Sequence, residues 1–151
     1  MIRRKIVKTV IIPELFSSAY ILKWYVNKKV NVEKEIDELN KITMKLCEYY
    51  KVPVCLNRLY SGINAKIEYI KEKNTCLLGQ KVIDDLELVT ILLQDILNSV
   101  YSIEEQVWLD TVISDLRSVI KSLKDKINKV CEEELNKNIY EKNESRYSFT
   151  R

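Results

Sequence analysis

The chain has 151 residues and a formal net charge of +3, and it contains no histidine. Without imidazole it cannot build the Ser-His or Cys-His pairs of nucleophilic catalysis, nor a His-bound zinc site. Its charge is far from the strongly basic balance of a dedicated nucleic-acid binder, and its hydrophobic and charged fractions, 46% and 31%, are ordinary for a globular domain.

The N-terminal third is predicted to contain one short strand and two helices. Residues 6–12 are rich in β-branched side chains and stop at a proline, which favours a strand followed by a helix over 13–27. Apolar residues at three- and four-residue steps predict a second helix over 32–51, with Asn31 as its N-cap and Pro53 beyond its end.

The segment 53–79 is predicted to form a small antiparallel sheet of three strands. Its apolar residues alternate with polar ones, and the only two glycines, Gly62 and Gly79, bracket the hairpin. The third strand is placed over 75–78. An all-α bundle, in which this segment is helical, stays open as the alternative fold.

The C-terminal half is predicted to form two long helices. The first begins near Asp84 and carries one apolar stripe. Ser102, with Glu105 three residues later, predicts a capping box for a helix that extends to about residue 135. The result is an α+β domain over 1–135 with helices on a small sheet, followed by a polar, flexible tail over 136–151.

The four cysteines lack the C-x-x-C spacing of zinc knuckles and redox motifs. Free buried thiols are the default, and a bridge between Cys55 and Cys76 is the alternative if they lie on adjacent strands. Charged residues and a proline interrupt the apolar N-terminal stretch, so neither a signal peptide nor a membrane span is predicted. We expect a cytoplasmic protein, and the composition is typical of a low-GC or viral genome.

One segment carries a resemblance to a known family. Residues 92–98 read Leu-Leu-Gln-Asp-Ile-Leu-Asn on the helix that follows the predicted hairpin. This resembles the zinc helix of small zincin-like metallopeptidases, where H-E-x-x-H follows two apolar residues. Here Gln94 and Asn98 replace the two histidines and Asp95 replaces the glutamate.

The resemblance extends over about 39–119 through the order of helix, hairpin and motif helix, and it implies a third ligand position at Glu105 or Asp110. Neutral amide oxygens are poor zinc ligands, so a domain of this ancestry has lost zinc peptidase activity. The alternative is that these residues are the polar side of an amphipathic helix. A carboxylate metal cluster of Asp84, Asp95 and Asp110 is singled out by no spacing pattern.

Basic residues near the N-terminus offer a different kind of surface. Cations among aromatic side chains can hold a phosphate backbone while the rings stack on bases, although lysine stems also cover aromatic cores. The residues of this possible nucleic-acid patch are Arg3, Arg4, Lys5, Lys28 and Lys29, with Tyr20, Trp24 and Tyr25 nearby.

We therefore expect a non-enzymatic protein that acts by binding a protein partner, without a metal or a cofactor. The long C-terminal helix also suggests a homodimer formed through it. Nucleic-acid binding through the basic N-terminal patch is the alternative function.

Overall fold

The computed structural model describes residues 2–53 and 75–149, and side chains within 3–53 and 76–136. In these ranges the chain forms four helical rods. The first is continuous and combines an α-helical turn, a π-helical segment and a longer α-helix. The elements are α1 (Ile2–Ile6), the π-helical segment (Val7–Ile11), α2 (Ile12–Asn27), α3 (Glu33–Tyr50), α4 (Thr75–Ser99) and α5 (Ile103–Phe149).

The predicted α+β fold is wrong, because the described residues contain helices and no strand. The strand predicted over 6–12 is the π-helical segment with its flanking residues, and the strand predicted over 75–78 is the first turn of α4. The rest of the predicted sheet, over 54–74, lies outside the described residues. The structure shows an all-helical bundle, which was the alternative fold.

The π-helical segment lies directly before Pro13. The N–H of Ile12 donates to the carbonyl of Val7, five residues back. A proline lacks an N–H, and its ring crowds the carbonyl four residues earlier in a regular α-helix. The wider turn accommodates this proline inside a helix. Val7 and Ile11 are fully buried. A short apolar run fits a buried helix as well as a strand, and here it lies in the core as a helix.

The rods close into a ring around one core. α2 packs against α3 and α4, and α5 packs against the same two helices, so α2 and α5 lie diagonally opposite each other. Each rod contributes leucines with no exposed surface, and burying one such side chain stabilises the fold by roughly 1.5–3 kcal/mol. These leucines include Leu22, Leu39, Leu93 and Leu116.

The ends of α3 and the start of α5 test the predicted caps. Val32, and not Asn31, is the N-cap of α3, and no side chain caps it. Lys51 ends α3 in the left-handed conformation with a φ of 52°. Ser102 Oγ accepts a hydrogen bond from the Glu105 N–H at 3.3 Å, so the predicted serine cap of α5 is confirmed.

The start of α4 is bound closely to the bundle. Cys76 is joined to Cys131 of α5 by a disulfide with a Cα–Cα distance of 4.8 Å. The free-thiol expectation is therefore wrong for this pair, and so is the bridge to Cys55, which itself lies outside the described residues. Cys47 is a free thiol.

Gly79, one turn further along α4, allows a close approach of helices. A Cβ at this position would lie 2.5 Å from Tyr25 Oη and 2.8 Å from Ile127 Cγ2.

α5 is much longer than its neighbours. At about 1.5 Å per residue, a helix of this length extends roughly 70 Å. It continues through 136–149, the segment predicted as a flexible tail, and the flexibility of that tail stays a prediction. No described helix has an apolar stretch long enough to cross a bilayer.

Candidate functional site

The structure does not bring the predicted metal frame together. On α4, Gln94 Nε2 donates to Asn98 Oδ1 at 3.2 Å, while Asp95 is exposed. Glu105 is engaged elsewhere with Arg3. Asp110 is exposed on α5. The described residues hold no group of three or more His, Cys, Asp or Glu side chains that could bind a metal ion, and this includes the carboxylate set considered from the sequence.

The basic N-terminal residues lie at two ends of one rod. Arg3 and Arg4 are near its start and Lys28 and Lys29 follow its end, about 35 Å away at 1.5 Å per residue. Arg4 Nη2 donates to a backbone carbonyl at the end of α3, at 3.1 Å, and Lys5 is exposed. The five residues therefore do not form a single patch.

The aromatic residues beside the second pair are largely occupied within the fold. Tyr25 is fully buried, and Trp24 meets it edge-to-face at 5.8 Å. Lys28 Nζ lies 5.2 Å from the centre of the Trp24 ring, a cation–π distance.

Arg3 belongs to a structural cluster where α1, α3 and α5 meet. Its Nη1 lies 3.2 Å from Glu105 Oε2, and Tyr50 Oη donates to Glu105 Oε1 at 3.1 Å. Burial, with the nearby Glu105 charge, raises the pKa of Tyr50 above its usual range. Trp108 stacks on Tyr49 with ring centres 4.2 Å apart. Glu105, one of the two positions that the resemblance implies for a third ligand, instead links α5 to Arg3 of α1 and Tyr50 of α3.

A second network joins α3 to α5. Glu35 is only 3% exposed, and its Oε1 accepts hydrogen bonds from Ser122 Oγ at 2.6 Å and Lys126 Nζ at 2.5 Å. Burial alone would raise the pKa of the Glu35 carboxyl, but these two hydrogen bonds outweigh it and hold the pKa below its usual value. The Lys126 ammonium therefore neutralises the Glu35 carboxylate within the fold.

The α3–α5 seam also holds a pocket of about 410 Å³, lined mainly by polar and charged side chains such as Lys34, Glu38 and Asp115. The seam between α4 and α5 forms a groove of about 460 Å³ with an apolar floor and a charged rim. Ile120 is buried beneath the groove, while Ile91 is 58% exposed at its edge. The floor residues are Thr90 and Ile120, Ile91 lies at the edge, and the rim residues are Glu87, Arg117, Lys121 and Lys124.

The rim of this groove carries a net positive charge. Glu87 pairs with Lys124 at 2.7 Å. Arg117 donates to the neutral Gln94 at 3.4 Å, and within the described residues neither Arg117 nor Lys121 has a carboxylate partner within 4.0 Å. Arg117, Lys121 and Lys124 follow one another at i, i+4 and i+7, which places them in one stripe along α5.

The outer face of α4 beside the groove has the opposite character. Asp84, Leu88, Ile91 and Asp95 follow one another at i, i+4, i+7 and i+11, so they share one helix face. Leu88 is 46% exposed. The two aspartates are exposed and have no ion pair within the described part of the chain.

Sequence reasoning missed both stripes. It placed Asp84 at the beginning of the helix, whereas α4 begins nine residues earlier, at Thr75. The signal was available as charge periodicity: three cations at i, i+4 and i+7 on a helix whose apolar stripe faces elsewhere.

Comparison with protein-family models, with curated proteins and with solved structures finds no match to this chain.

Proposed function

We propose that this protein is a protein-interaction module that binds an amphipathic helix with apolar and acidic residues in the α4–α5 groove. The observation that carries the proposal is an exposed isoleucine, Ile91, beside cations that lack carboxylate partners. An apolar floor favours an apolar helix face, and the positive rim selects acidic flanking residues.

Charge within the groove supports an acidic occupant over a basic one. Arg117 and Lys121 contribute two positive charges that the described residues leave uncompensated, whereas Lys124 is already paired with Glu87. A basic helix would meet like charges here, and this costs affinity. The groove runs between two antiparallel helices, since Glu87 lies opposite Lys124 and Gln94 lies opposite Arg117, and its lining covers about two turns of α5.

Fluorescence anisotropy with two designed peptides tests this function. Both have about 18 residues, roughly 27 Å as a helix, with leucines on one face. One carries glutamates beside the leucines and the other lysines. The acidic peptide is expected to bind with a micromolar dissociation constant, and the basic one at least about tenfold more weakly.

Two variants give the matched comparison. Arg117→Glu with Lys121→Glu should weaken binding of the acidic peptide by about tenfold or more, while Lys8→Glu with Lys23→Glu, an equal charge change on exposed residues away from the groove, should leave it unchanged. Equal binding of both peptides contradicts the proposal. So does binding of a DNA or RNA duplex through Arg117 and Lys121 while the acidic peptide fails to bind.

A further inference from the structure

We infer that the acidic amphipathic helix is α4 of a second copy of this chain, so that the groove is one half of a symmetric homodimer. This inference rests on the function proposed above and names the partner. The outer face of α4 carries the residues that the adjacent groove selects: Leu88 and Ile91 are exposed apolar side chains, and Asp84 and Asp95 are exposed acids with no ion pair in the described residues.

The register of the two stripes makes them self-complementary. Glu87 lies opposite Lys124 and Gln94 lies opposite Arg117, so the middle of the basic stripe is level with residues 90–91 of α4. The middle of the acidic stripe, between Asp84 and Asp95, falls at residues 89–90. The two stripes are therefore centred at nearly the same height.

A two-fold axis through this level, perpendicular to α4, places the acidic stripe of each copy against the basic stripe of the other. It sets the two α4 helices antiparallel, each displaced toward the other copy's α5. Asp84 and Asp95 are about 16 Å apart along α4, and Arg117 and Lys124 are about 10 Å apart along α5. The long side chains of Arg117 and Lys124 span the difference. Asp84 of one copy then approaches Arg117 of the partner subunit, and Asp95 approaches Lys124 of the partner subunit, which also pairs with its own Glu87.

The same axis covers the exposed apolar side chains. Leu88 and Ile91 lie near the middle of the stripe, so the two copies of each residue meet around the axis and lose their contact with water. An isologous contact of this kind uses the same patch on both subunits and closes with two copies. Its predicted state is a dimer and not a filament.

A charge-swap experiment tests the inference. One variant, Arg117→Glu with Lys121→Glu, makes the rim acidic beside an acidic α4. The other, Asp84→Lys with Asp95→Lys, makes α4 basic beside a basic rim. Each variant alone should be monomeric, because like charges meet across both halves of the interface. An equimolar mixture should form a heterodimer, because opposite charges then meet across both halves.

Sedimentation velocity from about 5 to 200 µM gives the readout, a range in which interfaces of modest size dissociate measurably. The wild-type chain should be dimeric at the upper end, and the control Lys8→Glu with Lys23→Glu should behave as wild type. A wild-type chain that is monomeric at 200 µM contradicts the inference. Homodimers of both charge variants, or a mixture that does not associate, also contradict it.

This outcome is separable from that of the proposed function. A monomeric wild-type chain that binds the acidic peptide excludes the second copy and keeps the groove as a docking site. A monomeric chain that does not bind the peptide excludes both the homodimer and the groove as a docking site. Dimers that persist in both charge variants place the self-association elsewhere, as in the projecting end of α5.

Discussion

The two seams of α5 differ in what happens to their charges. On the α3 side, Lys126 is bound to the buried Glu35, with Ser122 as a further donor. On the α4 side, Arg117 and Lys121 have no carboxylate partner among the described residues and border an apolar groove. The same helix thus pairs Lys126 with a buried carboxylate on one side and, among the described residues, leaves two exposed cations without a carboxylate on the other.

The difference also separates stability from function. Removing one member of a buried charge network leaves the other member without compensation and destabilises the fold. Removing an exposed cation changes the free energy of unfolding little, since surface substitutions usually stay within about 0.5 kcal/mol. Charges of the α3–α5 seam should therefore affect unfolding, and charges of the α4–α5 groove should affect binding.

The largest expected effect concerns the disulfide that joins α4 to α5 beyond the open groove. Replacing Cys76 and Cys131 by serine should lower the free energy of unfolding by about 4 kcal/mol, because the bridge closes a long loop in the unfolded chain. Thermal unfolding followed by circular dichroism measures the loss. Cys47→Ser, at the free thiol, is the control and should change stability far less. An unchanged melting temperature in the double variant would argue against the bridge.

The close approach at Gly79 predicts the next effect. Gly79→Ala should destabilise the protein by about 2 kcal/mol, because the added methyl group overlaps Tyr25 Oη and Ile127. Alanine otherwise favours a helix over glycine by about 1 kcal/mol, so a stabilised variant would show that α4 is not held this tightly against α2 and α5. Ser114→Ala, on the exposed face of α5, is the control.

A matched pair of lysines on α5 sharpens the comparison of the two seams. Lys126→Met should lower the free energy of unfolding by about 1.5 kcal/mol, since Glu35 loses its charged donor and the Asn31 carbonyl loses its hydrogen bond from Lys126 Nζ. Lys121→Met should change stability by less than about 0.5 kcal/mol but weaken binding of the acidic peptide. Chemical denaturation and anisotropy on the same samples give both values. Equal losses of stability in the two variants would contradict the difference between the two seams.

The pH dependence of Glu35 gives the smallest effect. Its folded-state pKa is lower than the usual value of 4.5, so its carboxylate stabilises the folded state at neutral pH. That stabilisation is lost as pH falls below 4.5 through the folded-state pKa. The stability difference between wild type and Glu35→Gln should therefore shrink between pH 6 and pH 3. A difference that stays constant over this range would mean that the carboxyl does not titrate with unfolding.

The sequence predicted α3 and the start of α5 because each helix carries an apolar stripe at helical steps, but it ended α5 near residue 135 instead of at Phe149. Ser102 marked the start of α5 through its short side chain. Residues 6–12 could not be assigned in the same way, because a short apolar run fits a buried helix as well as a strand. The early start of α4 at Thr75 was missed because the alternation of apolar and polar residues in 53–79 favoured a strand over 75–78.

Less of the candidate site than of the fold could be predicted from the sequence. The motif resemblance predicted a degenerate metal frame at Gln94, Asp95 and Asn98. In the structure, Gln94 donates a hydrogen bond to Asn98 on the surface. Whether Arg117 and Lys121 are neutralised depends on which helix lies beside α5, and that depends on tertiary packing. Charge periodicity on α5 points to a stripe, but it does not say which face stays open.

Chemical-shift mapping by nuclear magnetic resonance, with the acidic peptide added to the labelled full-length chain, compares the two seams in one experiment. The largest amide shifts are expected at Glu87, Ile91 and Lys121, with little change at Lys34 and Glu38 beside the α3–α5 seam. Shifts concentrated at Lys34 and Glu38, with Ile91 and Lys121 unmoved, would contradict the assignment of the α4–α5 groove as the binding surface.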